Sequence, residues 1–148
     1  MDIGPLEYVV IGMHEPHLPD ALISELDAIQ ESGQIYVVDL ILVTKAADGT
    51  LSMREMSDLI EEAPGKYGNL AGNLMGLLTK PDIEQLTAQV PPAASAFVIL
   101  FEHAWVIGLA DAVRQAGGVV FSGGMVSHEL LAHVSLELAA AGKEGKNA

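Results

Sequence analysis

The sequence predicts an α+β fold, on the strength of three observations. Short runs of apolar and β-branched residues, which are typical of strands covered on both faces, recur along the chain. Twice, such a run is followed by an amphipathic helical pattern that ends at glycine, and then by another apolar run. The dipeptide Asp48-Gly49 after the strongest run indicates a β-hairpin. Two right-handed βαβ units with their helices on one face of a sheet predict a ferredoxin-like sandwich, and the hairpin disfavours the alternative, a doubly wound α/β fold.

The first half of the chain contains three predicted strands and one helix. Residues 8–13 form the first apolar run, and a helix is expected over residues 20–33 because its apolar residues recur three and four positions apart. Residues 34–44 are the strongest strand signal of the chain. After the hairpin turn, residues 51–56 alternate between apolar and polar side chains, which predicts a strand inserted into the βαβ plan.

The middle of the chain, residues 58–78, is ambiguous between a glycine-rich helix and an irregular loop. Gly68, Gly72 and Gly76 follow one another at intervals of four residues, so in a helix they would form one stripe that another backbone could approach closely. Each glycine costs a helix about 0.5–1 kcal/mol relative to alanine, which favours a packing reason for the spacing. We therefore predict an interface at these three glycines, with Gly72 at a close backbone contact.

The second half repeats the strand–helix–strand plan. In order, the predicted elements are a helix capped by Thr79 and Asp82, a strand at 97–101, a helix at 105–116, a brief strand at 119–122 and a last helix from Ser127. The prediction for the whole chain is a single ferredoxin-like domain over residues 1–141, with an inserted hairpin strand and a glycine-rich helical segment. Residues 142–148 are expected to be a frayed tail.

The composition narrows the classes of partner and chemistry. The chain has 148 residues and a net charge of −13, which argues against nucleic acids and anionic membranes as partners. The absence of cysteine excludes disulfides, thiolate metal sites and thiol nucleophiles. Acidic residues are concentrated in residues 1–64, which indicates either a solvated face or a surface for a basic protein partner or divalent cations.

A membrane span and a secretory signal are both disfavoured. The stretch at residues 93–113 is apolar enough to be tested as a span, but Glu102, His103 and Asp111 interrupt it, and a buried strand followed by a helix explains it better. The N-terminus has no basic region of the kind that begins a signal peptide, so the expected location is cytoplasmic. No phosphate-binding glycine motif is present, and no cofactor is expected.

Two pairs of residues are candidates for catalysis or metal binding. Glu102 and His103, at a predicted strand-to-helix junction, could do acid–base chemistry, although a structural role at the helix start is the alternative that we favour. His14 and His17 flank Glu15-Pro16 and are candidate metal ligands, but a loop lacks the rigid spacing of helical zinc sites.

Three further residues are candidates for binding a ligand: Asp39, Lys45 and Trp105. Asp39 interrupts the strongest strand, so it either faces solvent on an open side of the sheet or pairs with Lys45 or Arg54 across the hairpin. A ligand on the sheet face would lie near Asp39, Lys45 and Glu102.

Three segments of the chain resemble a small bacterial family known only as a domain of unknown function. They read GPLEYVVIGM, IYVVDLILVTKAADG and FVILFEHAWVIGLADAVRQAGG, and the most specific part is VDL…VTK-x-x-DG, followed by Glu102 and Trp105. The resemblance extends over about residues 4–135. This family is in turn similar to a larger one of unknown function that carries a glycine-zipper hairpin between its βαβ halves. The resemblance implies a ferredoxin-like core and no established catalytic activity, and residues 65–76 look like a zipper remnant too short to span a bilayer.

Three functions are compatible with these patterns. The first is a non-enzymatic protein of structural or stress-related role that forms a homo-oligomer. The second is a module that senses a small molecule or a cation, and the third is an acid–base enzyme that uses Glu102 and His103. The high apolar content and the glycine spacing favour self-association.

Overall fold

The computed structural model describes residues 3–123 of the chain. The elements are, in order, β1 Leu6–Met13, α1 Asp20–Glu31, β2 Ile35–Lys45, β3 Leu51–Glu55, α2 Met56–Glu62, a 3-10 helix Gly68–Asn73, α3 Lys80–Leu86, β4 Ala94–His103 and α4 Trp105–Gln115. The chain divides between Ala112 and Val113 into two compact units. A single domain over residues 1–141 stays a prediction. The predicted last helix from Ser127 and the predicted tail lie outside the described residues.

The four strands form one antiparallel sheet in the order β1-β4-β2-β3. β4 lies between β1 and β2, so the two strands joined by α1 run parallel to each other with one strand between them. β3 pairs with β2 through the predicted turn, in which Gly49 has a φ of +88° that suits glycine. The α+β class predicted from the sequence is therefore confirmed, while the ferredoxin-like assignment stays a prediction.

The brief strand predicted at residues 119–122 is wrong. α4 ends in a Schellman motif, in which the Gly118 N–H donates to the Val113 carbonyl at 2.8 Å and Gly117 has a φ of +80°. The residues that follow are exposed, and Phe121 is 97% exposed. Within the described part of the chain this run has no ladder partner, so its apolar composition alone does not make it a strand.

The sheet is covered on both faces, where the sequence predicts helices on one face. Alternate residues of β2 separate the two sides: Leu40 faces a core that α1, α2 and the 3-10 helix complete, whereas Ile41 faces α3. We call these sides the α1 face and the α3 face. β4 alternates in the same way, with Phe97 on the α1 face and Val98 on the α3 face. Burial on both sides explains why β2 and β4 read as continuous apolar runs.

The helix caps follow the sequence signals. In α1, Ile23 and Leu26 are buried, and Gly33 follows the helix with a φ of +72°. The predicted capping box of α3 is present, since the Thr79 N–H donates to Asp82 Oδ2 at 2.9 Å and the Thr79 hydroxyl accepts from the Asp82 N–H. The end of α1 therefore depends on the backbone freedom of glycine, and the start of α3 depends on side-chain hydrogen bonds.

The glycine-rich segment does not form the α-helix that would align its glycines. It contains a 3-10 helix and then extended backbone, and Gly76 has a φ of +63°. With three residues per turn, a 3-10 helix does not keep residues four apart on one face. A Cβ atom added at Gly72 or Gly76 would meet no atom within 4 Å, so the close contact predicted for Gly72 is absent among the described residues. An interface between subunits at Gly68, Gly72 and Gly76 stays a prediction.

The apolar stretch of residues 93–113 divides into β4 and most of α4, as the sequence predicts. Within residues 3–123, none of the helices combines the length and the hydropathy that crossing a bilayer requires.

Candidate functional site

Glu102 and His103 form hydrogen bonds to different partners. They are the last two residues of β4, and neighbouring residues of a strand point to opposite faces of the sheet. Glu102 Oε2 accepts a hydrogen bond from the Gly4 N–H at 2.8 Å, which holds the N-terminal segment against β4. The structural role predicted for Glu102 is therefore supported, but its partner is the N-terminal segment and not the helix start.

His103 is buried and uses both of its ring nitrogens. The Trp105 indole Nε1 donates to His103 Nδ1 at 3.1 Å, and His103 Nε2 lies 3.1 Å from Glu7 Oε1. Because an indole can only donate, Nδ1 is the acceptor, and the neutral ring carries its proton on Nε2 and donates it to Glu7. This chain of bonds ties β1, β4 and the start of α4 together and leaves neither nitrogen free for catalysis.

Gly4 and Glu7 complete the cluster around Glu102, His103 and Trp105, and no sequence pattern singles them out. A Cβ atom on Gly4 would overlap the His103 carbonyl group, 2.8 Å from its carbon, so glycine is required there. The His103 N–H donates to the Pro5 carbonyl at 2.8 Å, which explains the close approach. The register of β1 against β4 brings these residues together, and no spacing in the sequence encodes that register.

Asp39 is buried beneath the segment that precedes α3, so the solvent-facing alternative is wrong. Its Oδ2 accepts from the Leu78 N–H at 2.9 Å and its Oδ1 accepts from the Leu40 N–H at 3.0 Å. The Met75 N–H also donates to the Val38 carbonyl at 2.7 Å, beside a register shift in β2. Val38 and Asp39 thus hold residues 75–78 against the sheet. The Asp39 carboxylate accepts hydrogen bonds from backbone N–H groups and does not pair with a cation among the described residues.

Lys45 and Arg54, the cations that the sequence offers to Asp39, have other partners. Lys45 Nζ donates to the carbonyls of Thr87 at 3.1 Å and Val90 at 2.8 Å, and so caps the end of α3. Arg54 forms an ion pair with Glu62 on the surface, which holds the pKa of Glu62 below and that of Arg54 above their ordinary values. Pairing of Asp39 with either cation is therefore wrong.

The candidate metal ligands His14 and His17 lie in an exposed bend after β1. His17 Nδ1 is 3.3 Å from Glu15 Oε2, and both side chains are more than half exposed. In the described part of the chain, no three His, Cys, Asp or Glu side chains are grouped so that they could hold a metal ion. Metal binding by His14 and His17 stays a prediction.

A groove of about 760 Å³ lies on the α3 face, between β1 and the end of α3. We call it the β1–α3 groove. The β1 side contributes Tyr8, Val10 and Gly12, and the opposite side contributes Gln85, Leu86, Ala88, Gln89 and Val90. Of the candidate residues taken from the sequence, His14 lines this groove, whereas Asp39, Lys45, Glu102, His103 and Trp105 do not. Sequence reasoning did not identify the groove, because its two walls come from segments about 75 residues apart.

Comparison with known proteins identifies a family but no characterised relative. A family model described as a family of unknown function, DUF6325, matches residues 2–134. Neither the curated proteins nor the solved structures contain a match.

Proposed function

The chain belongs to DUF6325, a family of unknown function. From that premise we propose a non-enzymatic, structural or stress-related protein that self-associates through the edge of β1 that has no strand partner among residues 3–123. A second copy of the chain would pair its own β1 there in antiparallel orientation. Such a contact uses the same surface of both copies and closes into a dimer.

The observation that carries this proposal is the lack of protection along the edge of β1. Among residues 3–123, β1 pairs with β4 on one side only, and its register is regular over all eight residues. Edge strands usually avoid pairing through proline, charged side chains, bulges or short length. Leu6–Met13 is eight residues long without proline, lysine or a bulge, and its charged residue, Glu7, is hydrogen-bonded to His103 of the same chain. The opposite edge strand, β3, is five residues long and includes Arg54.

Exposed apolar side chains support the same surface. Leu6 is 41% exposed and Tyr8 is 56% exposed, and both project from β1. Pairing of two β1 strands would make one eight-stranded sheet and would bring apolar side chains of both copies together. Self-association therefore has both backbone donors and apolar area available at this edge.

The arrangement around His103 supports a non-enzymatic role. Both ring nitrogens are occupied, and Glu102 lies on the other face of the sheet. An acid–base enzyme built on Glu102 and His103 would first have to break the bond to Trp105 or to Glu7. A cytoplasmic location and a basic partner for the acidic first half remain predictions from composition.

The test compares two leucines with the same exposure. Leu6 on β1 and Leu77 outside the strands are each 41% exposed, so Leu6→Glu and Leu77→Glu add the same charge at equally exposed positions. We expect native mass spectrometry to find a dimer of the 15.6 kDa chain. Because Leu6→Glu would place a charge among the apolar side chains that the two copies bring together, it should raise the dissociation constant at least about tenfold, while Leu77→Glu should not.

Two results would contradict the proposal. One is a single 15.6 kDa species at micromolar concentration for the native chain. The other is an assembly that Gly72→Leu dissociates while Leu6→Glu leaves it intact, since a side chain at Gly72 meets no described atom of its own subunit. That second result would move the interface to the Gly68, Gly72 and Gly76 segment.

A further inference from the structure

We propose that the β1–α3 groove binds a small, uncharged molecule with a flat apolar or aromatic part. The groove opens on the face of the sheet, whereas strand pairing uses the backbone edge of β1, and Tyr8 borders both surfaces. Its volume of about 760 Å³ lies within the range of about 300–1,000 Å³ that is typical of small-molecule sites.

The chemistry of the lining argues for an uncharged ligand. The chain has 20 acidic and 7 basic residues, yet no Asp, Glu, Lys or Arg lines the groove. A charged ligand would lose its hydration there without gaining a counter-charge. Tyr8 and Val10 offer apolar surface on one side, and the exposed side chains of Gln85 and Gln89 offer amide donors and acceptors on the other.

Gly12 is the feature of the groove that packing within the chain does not explain. Glycine in the interior of a strand costs stability and often marks a place where a ligand or another backbone approaches closely. A Cβ atom on Gly12 would meet no atom within 4 Å, so no neighbouring part of the described chain requires glycine here. Gly12 lines the groove, so a side chain at this position would project into open space.

The wall opposite β1 is held in place without a ligand. Lys45 donates to the carbonyls of Thr87 and Val90, which fixes the turn after α3 against β2. The Thr79–Asp82 capping box fixes the other end of the helix. A groove with walls fixed in this way costs a ligand little ordering free energy, which favours binding.

The test uses N-phenyl-1-naphthylamine, an uncharged aromatic dye whose fluorescence rises in apolar surroundings. We expect saturable binding to the full chain, and weaker binding, by at least fivefold, of the sulfonated analogue 8-anilinonaphthalene-1-sulfonate. Gly12→Leu should weaken binding of the uncharged dye at least tenfold, because the new side chain projects from β1 into the space that the dye would occupy. The matched control is Gly108→Leu, at another glycine with open space, which should change the affinity less than twofold.

A second variant keeps the test independent of how Gly12→Leu folds. Ala88 is exposed on the opposite wall, so Ala88→Trp should narrow the groove and weaken dye binding without disturbing the core. The assembly state of Ala88→Trp, which lies outside β1, should equal that of the native chain in native mass spectrometry, and this separates the groove from the β1 edge. No saturable binding by the native chain, or equal affinity in native chain, Gly12→Leu and Ala88→Trp, would overturn the proposal.

Discussion

The two faces of the sheet differ in how completely they are covered. On the α1 face, two helices and a 3-10 helix enclose a large cluster of buried side chains that includes Leu40, Phe97 and Ile99. On the α3 face, one short helix of the described part of the chain covers a small cluster centred on Ile41, Val98 and Ile83. The α1 face therefore carries most of the core, whereas the α3 face has room for the groove.

Helix length explains this difference. α1 has 12 residues and α3 has 7, so at 1.5 Å per residue they are about 18 Å and 10 Å long. β4, with ten residues, is about 33 Å long. α3 thus shields only part of the strand beneath it, and the segment held by Asp39 shields another part. The α1 face of the sheet therefore contributes most of the buried core, and the α3 face contributes the groove.

The sharpest test of this comparison is a pair of substitutions at consecutive residues of β2. Leu40 and Ile41 are both buried and have the same number of side-chain atoms, but they face opposite sides. Truncation of a buried Leu or Ile to Ala costs about 2–5 kcal/mol, and more where the surroundings cannot relax. We expect about 4 kcal/mol for Leu40→Ala and about 2 kcal/mol for Ile41→Ala in urea denaturation. Equal losses would mean that the two faces are equally rigid.

A smaller effect is expected at Asp39, which is polar but buried on the α3 face. Asp39→Ala leaves the N–H groups of Leu78 and Leu40 without their acceptor, and such a loss costs about 1–3 kcal/mol. The Leu78 amide should then exchange its hydrogen faster than in the native chain. Asp39→Asn, the matched control, keeps one side-chain oxygen as acceptor and should cost less. If Leu78 exchange is unchanged in Asp39→Ala, the carboxylate does not hold this segment.

The smallest effect is a pH dependence at the start of α3. Hydrogen bonds from the Thr79 backbone N–H and then its hydroxyl hold the pKa of Asp82 below its ordinary value of 3.8. Because folding lowers this pKa, the contribution is fully present above pH 3.8 and is lost as the pH falls below it. The difference in melting temperature between the native chain and Asp82→Asn should therefore narrow below pH 3.8. A constant difference from pH 7 to pH 3 would contradict this account of the cap.

Local patterns predicted much of the fold and little of the site. The Thr79–Asp82 capping box, the Asp48-Gly49 turn and the glycine at the end of α1 each depend on residues a few positions apart, and the structure confirms all three. The four-residue interval between the glycines puts them on one face only if the segment is an α-helix, and the segment contains a 3-10 helix instead. The interface between subunits at these glycines stays a prediction. Closeness in sequence is likewise a poor guide for Glu102 and His103. They are neighbours in the chain, but alternation along β4 directs their side chains to opposite faces of the sheet.

By itself, the sequence determined the α+β class, the positions of β1 to β4 and most of the helix ends, because hydrophobic periodicity and capping act over a few residues. Only the tertiary structure decided what each polar side chain binds. Glu7 meets His103 across 96 residues of sequence, and Leu78 meets Asp39 across 39. The β1–α3 groove likewise exists because strand order brings β1 beside β4, on the face that α3 only partly covers. These pairings depend on register and on which face each residue occupies, and no local pattern encodes either.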